Sequence, residues 1–303
     1  MRQKKRAAAL LLSAVMAFSA VSPALPAWAA AWQKNASGSY IGSDGSVLTG
    51  ILSRGVDVSQ WQQNINWSAV AADDIQFAMI GARYNNAVDP YFETNVRGAA
   101  AAGLRVGVYL YSYATTTAMA ESDADFVLNL IKDYPISYPV VLDVEAQEMN
   151  NLTPAQLSDI INAFCKKVET AGYYPMVYTN DYWINNKIDM TKVHYDVWIA
   201  RYDAKPSYQG AAFWQASNQG TVNGISGNVD INFSFKDLSG KLPANRWRLI
   251  GDKWYYYKNY VKQTGWINDG QSWYYLNADG TQFKGWLLLD NQYYYLLPTP
   301  GQM

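Results

Sequence analysis

One cysteine, Cys165, and one histidine, His194, are all that 303 residues contain of the side chains most used for metal and thiol chemistry. A single cysteine closes no intramolecular disulfide. One histidine and one cysteine are too few for a His- or Cys-based zinc site, and a Ser/His/Asp triad is hard to build from them. Charge is scarce too, at 16% of residues, with 25 acids against 24 Lys and Arg. No basic footprint for nucleic acid is present. Any chemistry performed here falls to carboxylates. What the chain has in abundance is aromatic: 12 Trp and 24 Tyr, within a sequence that is 50% hydrophobic. That suffices for one large core and a smaller module.

The first 29 residues read as a signal peptide. Arg2, Lys4, Lys5 and Arg6 form a basic start, and residues 7–20 form an apolar run too short to span a bilayer. Pro23 and Pro26 follow, then Ala27-Trp28-Ala29 as a cleavage site. The expectation is a secreted protein with no stable membrane anchor after cleavage. Lacking disulfides, it must rely on its core, and Cys165 in "IINAFCKKV" reads as a core residue.

Residues 30–51, rich in Gly and Ser, read as a surface arm. From residue 52 strands and helices alternate. "SRGVDVSQ", "QFAMIGARY", "RVGVYLYSYA" and "YPVVLDVE" read as strands, as do "YYPMVYTN", "HYDVWIARYD", "GAAFWQAS" and "NVDINFS". Helical segments separate most of them. The clearest opens at Thr153 and Gln156, a capping-box pair, with Pro154 at the first helical position. Repeated strand–helix units argue for a parallel sheet. This many over residues 52–235 favour a closed barrel, irregular because the late strands lack long helices between them. Residues 236–246 read as a linker. Beyond it an aromatic pattern repeats: Gly265-Trp266 returns as Gly285-Trp286, and Trp254, Trp273 and Tyr293 open aromatic triplets. A period near 20 residues with Gly turns predicts stacked hairpins. The fold class is α/β: an irregular (β/α) TIM-like barrel followed by a small all-β hairpin-repeat module.

Residues 138–147, "YPVVLDVEAQ", carry Asp143 and Glu145. Positions i and i+2 of a strand share a face, with Cα atoms roughly 7 Å apart. Two close carboxylates push one pKa upward, leaving one group protonated and one ionised. That pairing suits protonation of a glycosidic oxygen. Asp57 and Asp230 sit at the ends of two other strands. Asp203 follows another and reads better as a solvated loop acid. Tyr111, Tyr113, Tyr178, Trp198 and Trp214 are candidate stacking platforms for sugar rings. Each alone is more simply a core residue; together with the acids they describe a carbohydrate cleft.

On the blocks "GVDVSQWQQNINW", "FAMIGARY", "AAAAGLRVGVYLYSYA", "PVVLDVE", "YYPMVYTN", "VWIARYD" and "FWQASNQGTVNGISGNVDINFS", the segment resembles glycoside hydrolase family 25. These are lysozymes (N-acetylmuramidases) that cleave bacterial peptidoglycan. The resemblance implies an irregular β/α barrel, an active site at Asp57, Asp143, Glu145 and Asp230 with Glu145 as the acid, and no metal or organic cofactor. Many members carry a His where this chain has Leu110. The tail, 247–303, is similar to choline-binding or cell-wall-binding repeats, in which aromatics cage a quaternary ammonium. Trp254, Trp266, Trp273, Tyr275 and Trp286 are the candidates for choline or another wall polymer. The same aromatics would be needed merely to stack the hairpins. The expected protein is thus a cell-wall-associated muramidase acting on peptidoglycan. A non-catalytic wall-binding protein on a hydrolase scaffold and a chitinase-like glycosidase stand as alternatives.

Overall fold

The computed structural model describes residues 32–85 and 87–297. The expected signal peptide lies outside them. Eight strands close into a barrel in chain order: β1 (Ser53–Val58), β2 (Phe77–Gly81), β3 (Arg105–Tyr111), β4 (Val140–Asp143), β5 (Pro175–Asn180), β6 (Asp196–Ala200), β7 (Phe213–Gly220) and β8 (Val229–Ser234). Strands β1 to β7 run parallel where they pair, but β8 runs antiparallel to both β7 and β1. A wholly parallel sheet was the expectation. The link between β7 and β8 is too short for a crossover helix, so the chain turns back as a hairpin.

Five helices pack outside: α1 (Trp67–Ala72), α2 (Phe92–Ala101), α3 (Thr117–Ile131), α4 (Pro154–Thr170) and α5 (Asp181–Asn186). The capping box forms at the head of α4, where Thr153 Oγ1 accepts from the Gln156 N–H and Gln156 Oε1 accepts from the Thr153 N–H. Gly172, at φ +83°, takes the left-handed position that ends this helix.

Strand parity divides the core into two. Val56, Ala78, Ile80, Val106, Val108 and Leu142 face outward onto the helices. Phe77, Met79, Val141, Met176, Trp198 and Phe213 face inward. The inward set fills the barrel below its mouth, and the chain after β8 closes the opposite end. Residues 236–246, expected as a linker, are packed there: Leu238 and Leu242 are buried among Phe77, Tyr138 and Phe213 in the inward cluster. The arm is also packed, with Trp32 and Tyr40 edge-on to Phe233 at 4.9 and 4.8 Å.

Three aromatic hairpins follow, at 246–258, 265–276 and 285–296. The first meets the barrel. Arg105 Nη1 donates to Tyr260 Oη and Arg246 Nη2 donates to the Gly172 carbonyl, both at 3.0 Å. The Arg248 guanidinium lies 4.0 Å from the Tyr257 ring centroid and 5.1 Å from that of Tyr173. Arg105 opens β3, and Gly172 and Tyr173 precede β5, so this contact lies at the barrel end opposite the strand C-termini.

The plug makes a definite expectation for truncation. A chain ending at residue 243 keeps Leu238 and Leu242 and folds. One ending at 235 exposes the barrel interior, and Leu242→Ala in the full chain costs about 2–5 kcal/mol. Urea midpoints of the three proteins check this; equal midpoints would mean that the segment closes nothing.

Candidate active site

Four acids converge on one cavity of about 370 Å³ at the mouth of the barrel: Asp57, Asp143, Glu145 and Asp230. Asp57 is the penultimate residue of β1 and Asp143 the last of β4. Glu145 follows two residues on, with Val144 between them buried on the outer side. Asp230 arrives by the other route. Because β8 is reversed, its N-terminal end lies at the mouth, and Asp230 pairs in register with Asp57.

The two carboxyl pairs have different surroundings. Asp57 Oδ2 accepts from Gln215 Nε2 at 2.8 Å and from Asn232 Nδ2 at 2.7 Å. Burial still raises its pKa, these donors and Asp230 pulling the other way. Asp230 is raised by its own burial, then by the charge of Asp57 and a hydrogen bond to it. Asp143 is 6% exposed, and its Oδ1 has no hydrogen-bond partner among the described residues. Burial, then the charges of Glu145 and Asp57, hold its pKa well above the usual carboxylate range. Glu145 is raised by burial as well, offset by Asn180. Asn180 is oriented for this contact. Its Oδ1 caps α5 through the N–H groups of Tyr182 and Trp183, which leaves its Nδ2 facing Glu145 Oε2 at 3.4 Å. Burial therefore favours the protonated form across the cluster, as a general acid requires.

The aromatic candidates divide. Tyr111, Tyr113, Tyr178 and Trp198 line the cavity. Trp214 does not, which corrects the sequence expectation. Its neighbours Phe213 and Gln215 face inward, so parity turns Trp214 outward against Phe233. There its indole N–H donates to the Arg201 carbonyl at 2.8 Å. Asp203 pairs with Arg201 at 3.0 Å, as a loop acid would. The sequence reading missed Gln215, Asn232 and Asn180. Extending the i, i+2 rule from Phe213, Asp230 and Tyr178 would have found all three. It also missed Trp61 and Tyr84, an edge-on pair 5.9 Å apart on the cavity wall. Trp61 is 72% exposed despite its size.

The profile described as "Glycosyl hydrolases family 25" matches residues 56–225. The chain belongs to that family. A relative from Escherichia coli (strain K12), the uncharacterized protein YegX, is 34% identical over 188 residues, covering 59% of this chain and 68% of that protein. Lysozyme M1 of Streptomyces globisporus is 30% identical over 208 residues, 63% of this chain and 70% of that enzyme. Among solved structures, the bacterial lysozyme from Streptomyces coelicolor superposes with a TM-score of 0.52 at 25% identity, covering 66% of this chain and 97% of that one. The tail matches two further profiles: "Putative cell wall binding repeat" at 245–259 and "Choline-binding repeat" at 263–303.

For a family-25 hydrolase, the departure at Leu110 is without consequence at the cleft, because that side chain is fully buried on the outward face of β3. In the repeats, each hairpin pairs a Trp across from a Tyr: Trp247 with Tyr256, Trp266 with Tyr275 and Trp286 with Tyr295. Trp254 and Trp273 stand edge-on to Trp247 and Trp266 at 6.4 and 6.5 Å. The hairpins join through Tyr274, 4.7 Å from Trp247, and Tyr294, 4.9 Å from Trp266. Trp247 escaped the sequence reading because Arg246 stands where the later repeats have Gly.

A carboxyl whose folded pKa is raised is penalised when ionised. As pH climbs above about 3.9 the unfolded chain sheds this proton first, so Asp143 subtracts stability increasingly toward neutral pH. Asp143→Asn of this hydrolase should therefore melt higher than wild type at pH 7, the gain shrinking toward pH 4. Melting curves across that range check it; a gain that is constant or grows on acidification would contradict the burial account.

Proposed function

We propose that this glycoside hydrolase is a secreted muramidase that cleaves the β-1,4 bond between N-acetylmuramic acid and N-acetylglucosamine, held on the cell wall by its repeats. The observation that carries the chemistry is the orphan Oδ1 of Asp143 beside Glu145. Both carboxyls project from one strand end, on the same side of a bound sugar. A conventional pair flanks the bond from opposite sides. Asp143 is thus poorly placed as a nucleophile or as the base for a back-side water.

Its missing partner suits the N–H of a substrate 2-acetamido group. When that N–H donates to Asp143 Oδ1, the ionised form of Asp143 is stabilised and the proton of the pair settles on Glu145. Asp143 aligns and polarises the acetamido group, whose carbonyl oxygen attacks the anomeric carbon. Glu145 protonates the leaving oxygen. In the second half the Glu145 carboxylate takes a proton from the incoming water, which opens the cyclic intermediate from the face the leaving group vacated. The outcome is retention. Asp57 and Asp230 position the sugar and keep Glu145 protonated. Lysozyme M1 and the autolytic lysozyme of Clostridium acetobutylicum, both similar over this domain, support the lysozyme reading by their names. The signal-like start of the chain supports secretion.

Purified peptidoglycan and soluble chitin oligomers, assayed side by side, separate this reading from its alternatives. Clearing of peptidoglycan with little chitin turnover is expected. Inactivity on both favours a binding protein, and preference for chitin favours a chitinase. In the active protein, Glu145→Gln should lower the rate about 10²–10⁴-fold with melting unchanged. A variant keeping more than about a tenth of the rate would remove Glu145 from the acid role.

The repeats bind a wall polymer through cages of aromatic faces left open by their edge-on geometry. Trp273, Trp286 and Tyr293, 63%, 70% and 71% exposed, present large free surfaces. A quaternary ammonium such as choline fits by cation–π attraction. Removing residues 244–303 should leave turnover of small muropeptides intact while binding to whole walls falls, because the tethered module supplies effective concentration. Unchanged wall binding in a pelleting assay would remove anchoring from the repeats. Millimolar choline should release the full chain from choline-bearing walls.

A further inference from the structure

Gln215 lines the cavity and links its acids to the surrounding phenols through hydrogen bonds. The Tyr178 and Tyr202 hydroxyls both donate to its Oε1, at 2.7 and 2.8 Å. Its Nε2 donates to Asp57 Oδ2 at 2.8 Å. Asn232 repeats the arrangement from β8. The Trp198 indole, which can only donate, donates to Asn232 Oδ1 at 2.9 Å. Asn232 Nδ2 must then face Asp57 Oδ2, at 2.7 Å. One carboxyl oxygen thus receives two N–H groups: the indole fixes the Asn232 amide, and the Gln215 amide presents its N–H to Asp57 while its Oε1 takes the two phenols. An oxygen so occupied is a poor place for a proton. Asp230, hydrogen-bonded to Asp57, has no such donors among the described residues. Gln215 and Asn232 are themselves buried.

We infer that Gln215 is a positioning residue that fixes the charge of the paired acids: Asp57 is held ionised, and Asp230 is the neutral partner that donates a hydrogen bond. The consequence extends to Glu145. A fixed negative charge at Asp57 faces it across the cavity and keeps its proton in place. The groups facing Asp57 are Asp230 from β8, Asp143 and Glu145 from the end of β4, Tyr109 from β3, Tyr178 from β5, and Tyr202 beyond β6. All are acids or phenols and none is a cation, so an anion at Asp57 rests on the two amides and on the hydrogen bond from Asp230. The kinetic side of this inference rests on the muramidase reading; the charge assignment does not.

The test is carbon NMR of the full-length protein labelled at aspartate Cγ, titrated from pH 4 to pH 8, with Asp57→Asn and Asp230→Asn giving the assignments. Asp57 is expected in the carboxylate range at pH values where Asp230 still shows the carboxylic acid shift. Gln215→Leu should move the ionisation of Asp57 upward by about one unit or more. Tyr202→Phe, which removes one of the two hydroxyls holding Gln215, should move it the same way by less. If Gln215→Leu does not fold, Tyr202→Phe decides. Asp230 ionising before Asp57, or an unmoved Asp57 in the folded variants, overturns the inference whether or not the enzyme turns over. In the active enzyme, the pH profile of kcat/KM on a soluble muropeptide should narrow in the Gln215→Leu protein. The acid limb rises with Asp57, and the alkaline limb falls as Glu145 loses its charged neighbour. A loss equal at every pH is the mark of a merely structural role.

Discussion

Burying acids beside acids is the constraint on which this structure depends. Asp57, Asp143, Glu145 and Asp230 share one cavity, and burial is the first cause of the raised pKa of each. Such a cluster is tolerated only if the charge it carries meets N–H donors and if the frame around it cannot relax. The barrel meets the second condition. Its inward residues form an apolar fill below the mouth, with Leu238 and Leu242 closing the far end. The amides of Gln215, Asn232 and Asn180 meet the first, each turned by a second hydrogen bond so that an N–H group faces a chosen oxygen. Asp143 Oδ1 is buried without a donor among the described residues.

Much of this was legible in the sequence because strand parity is so strict a rule. Asp143 and Glu145 were placed together by counting two residues, and Tyr111 and Tyr113, two apart as well, reach the same cavity. The same count, neglected at Trp214, would have turned that ring outward. What the local pattern could not show was direction. Nothing in "NVDINFS" says whether the strand runs up or down the barrel, yet the reversal of β8 is what sets Asp230 against Asp57. Nor does "KDLSGKLPANR" announce a plug. Its Ser, Gly and Pro read as a linker, and only the open end of a barrel turns two leucines of such a stretch into core.

The repeats keep a different economy. Their hairpins have little interior beyond Tyr256, Ile267 and Leu276, so neighbours must bury each other's aromatic faces. The first hairpin is fastened to the barrel by Arg105, Arg246 and Arg248 at the end away from the mouth. The junction of the repeats with the barrel and the cavity of the four acids thus lie at opposite ends of the barrel.

The central claim is that Asp143 serves the substrate's own acetamido group rather than attacking the sugar or activating a back-side water. The anomeric configuration of the first-formed product, followed by NMR before mutarotation, tests it most directly. The account predicts initial release of the β-anomer. Initial release of the α-anomer would mean inversion, and a mechanism in which the orphan oxygen of Asp143 has some other purpose.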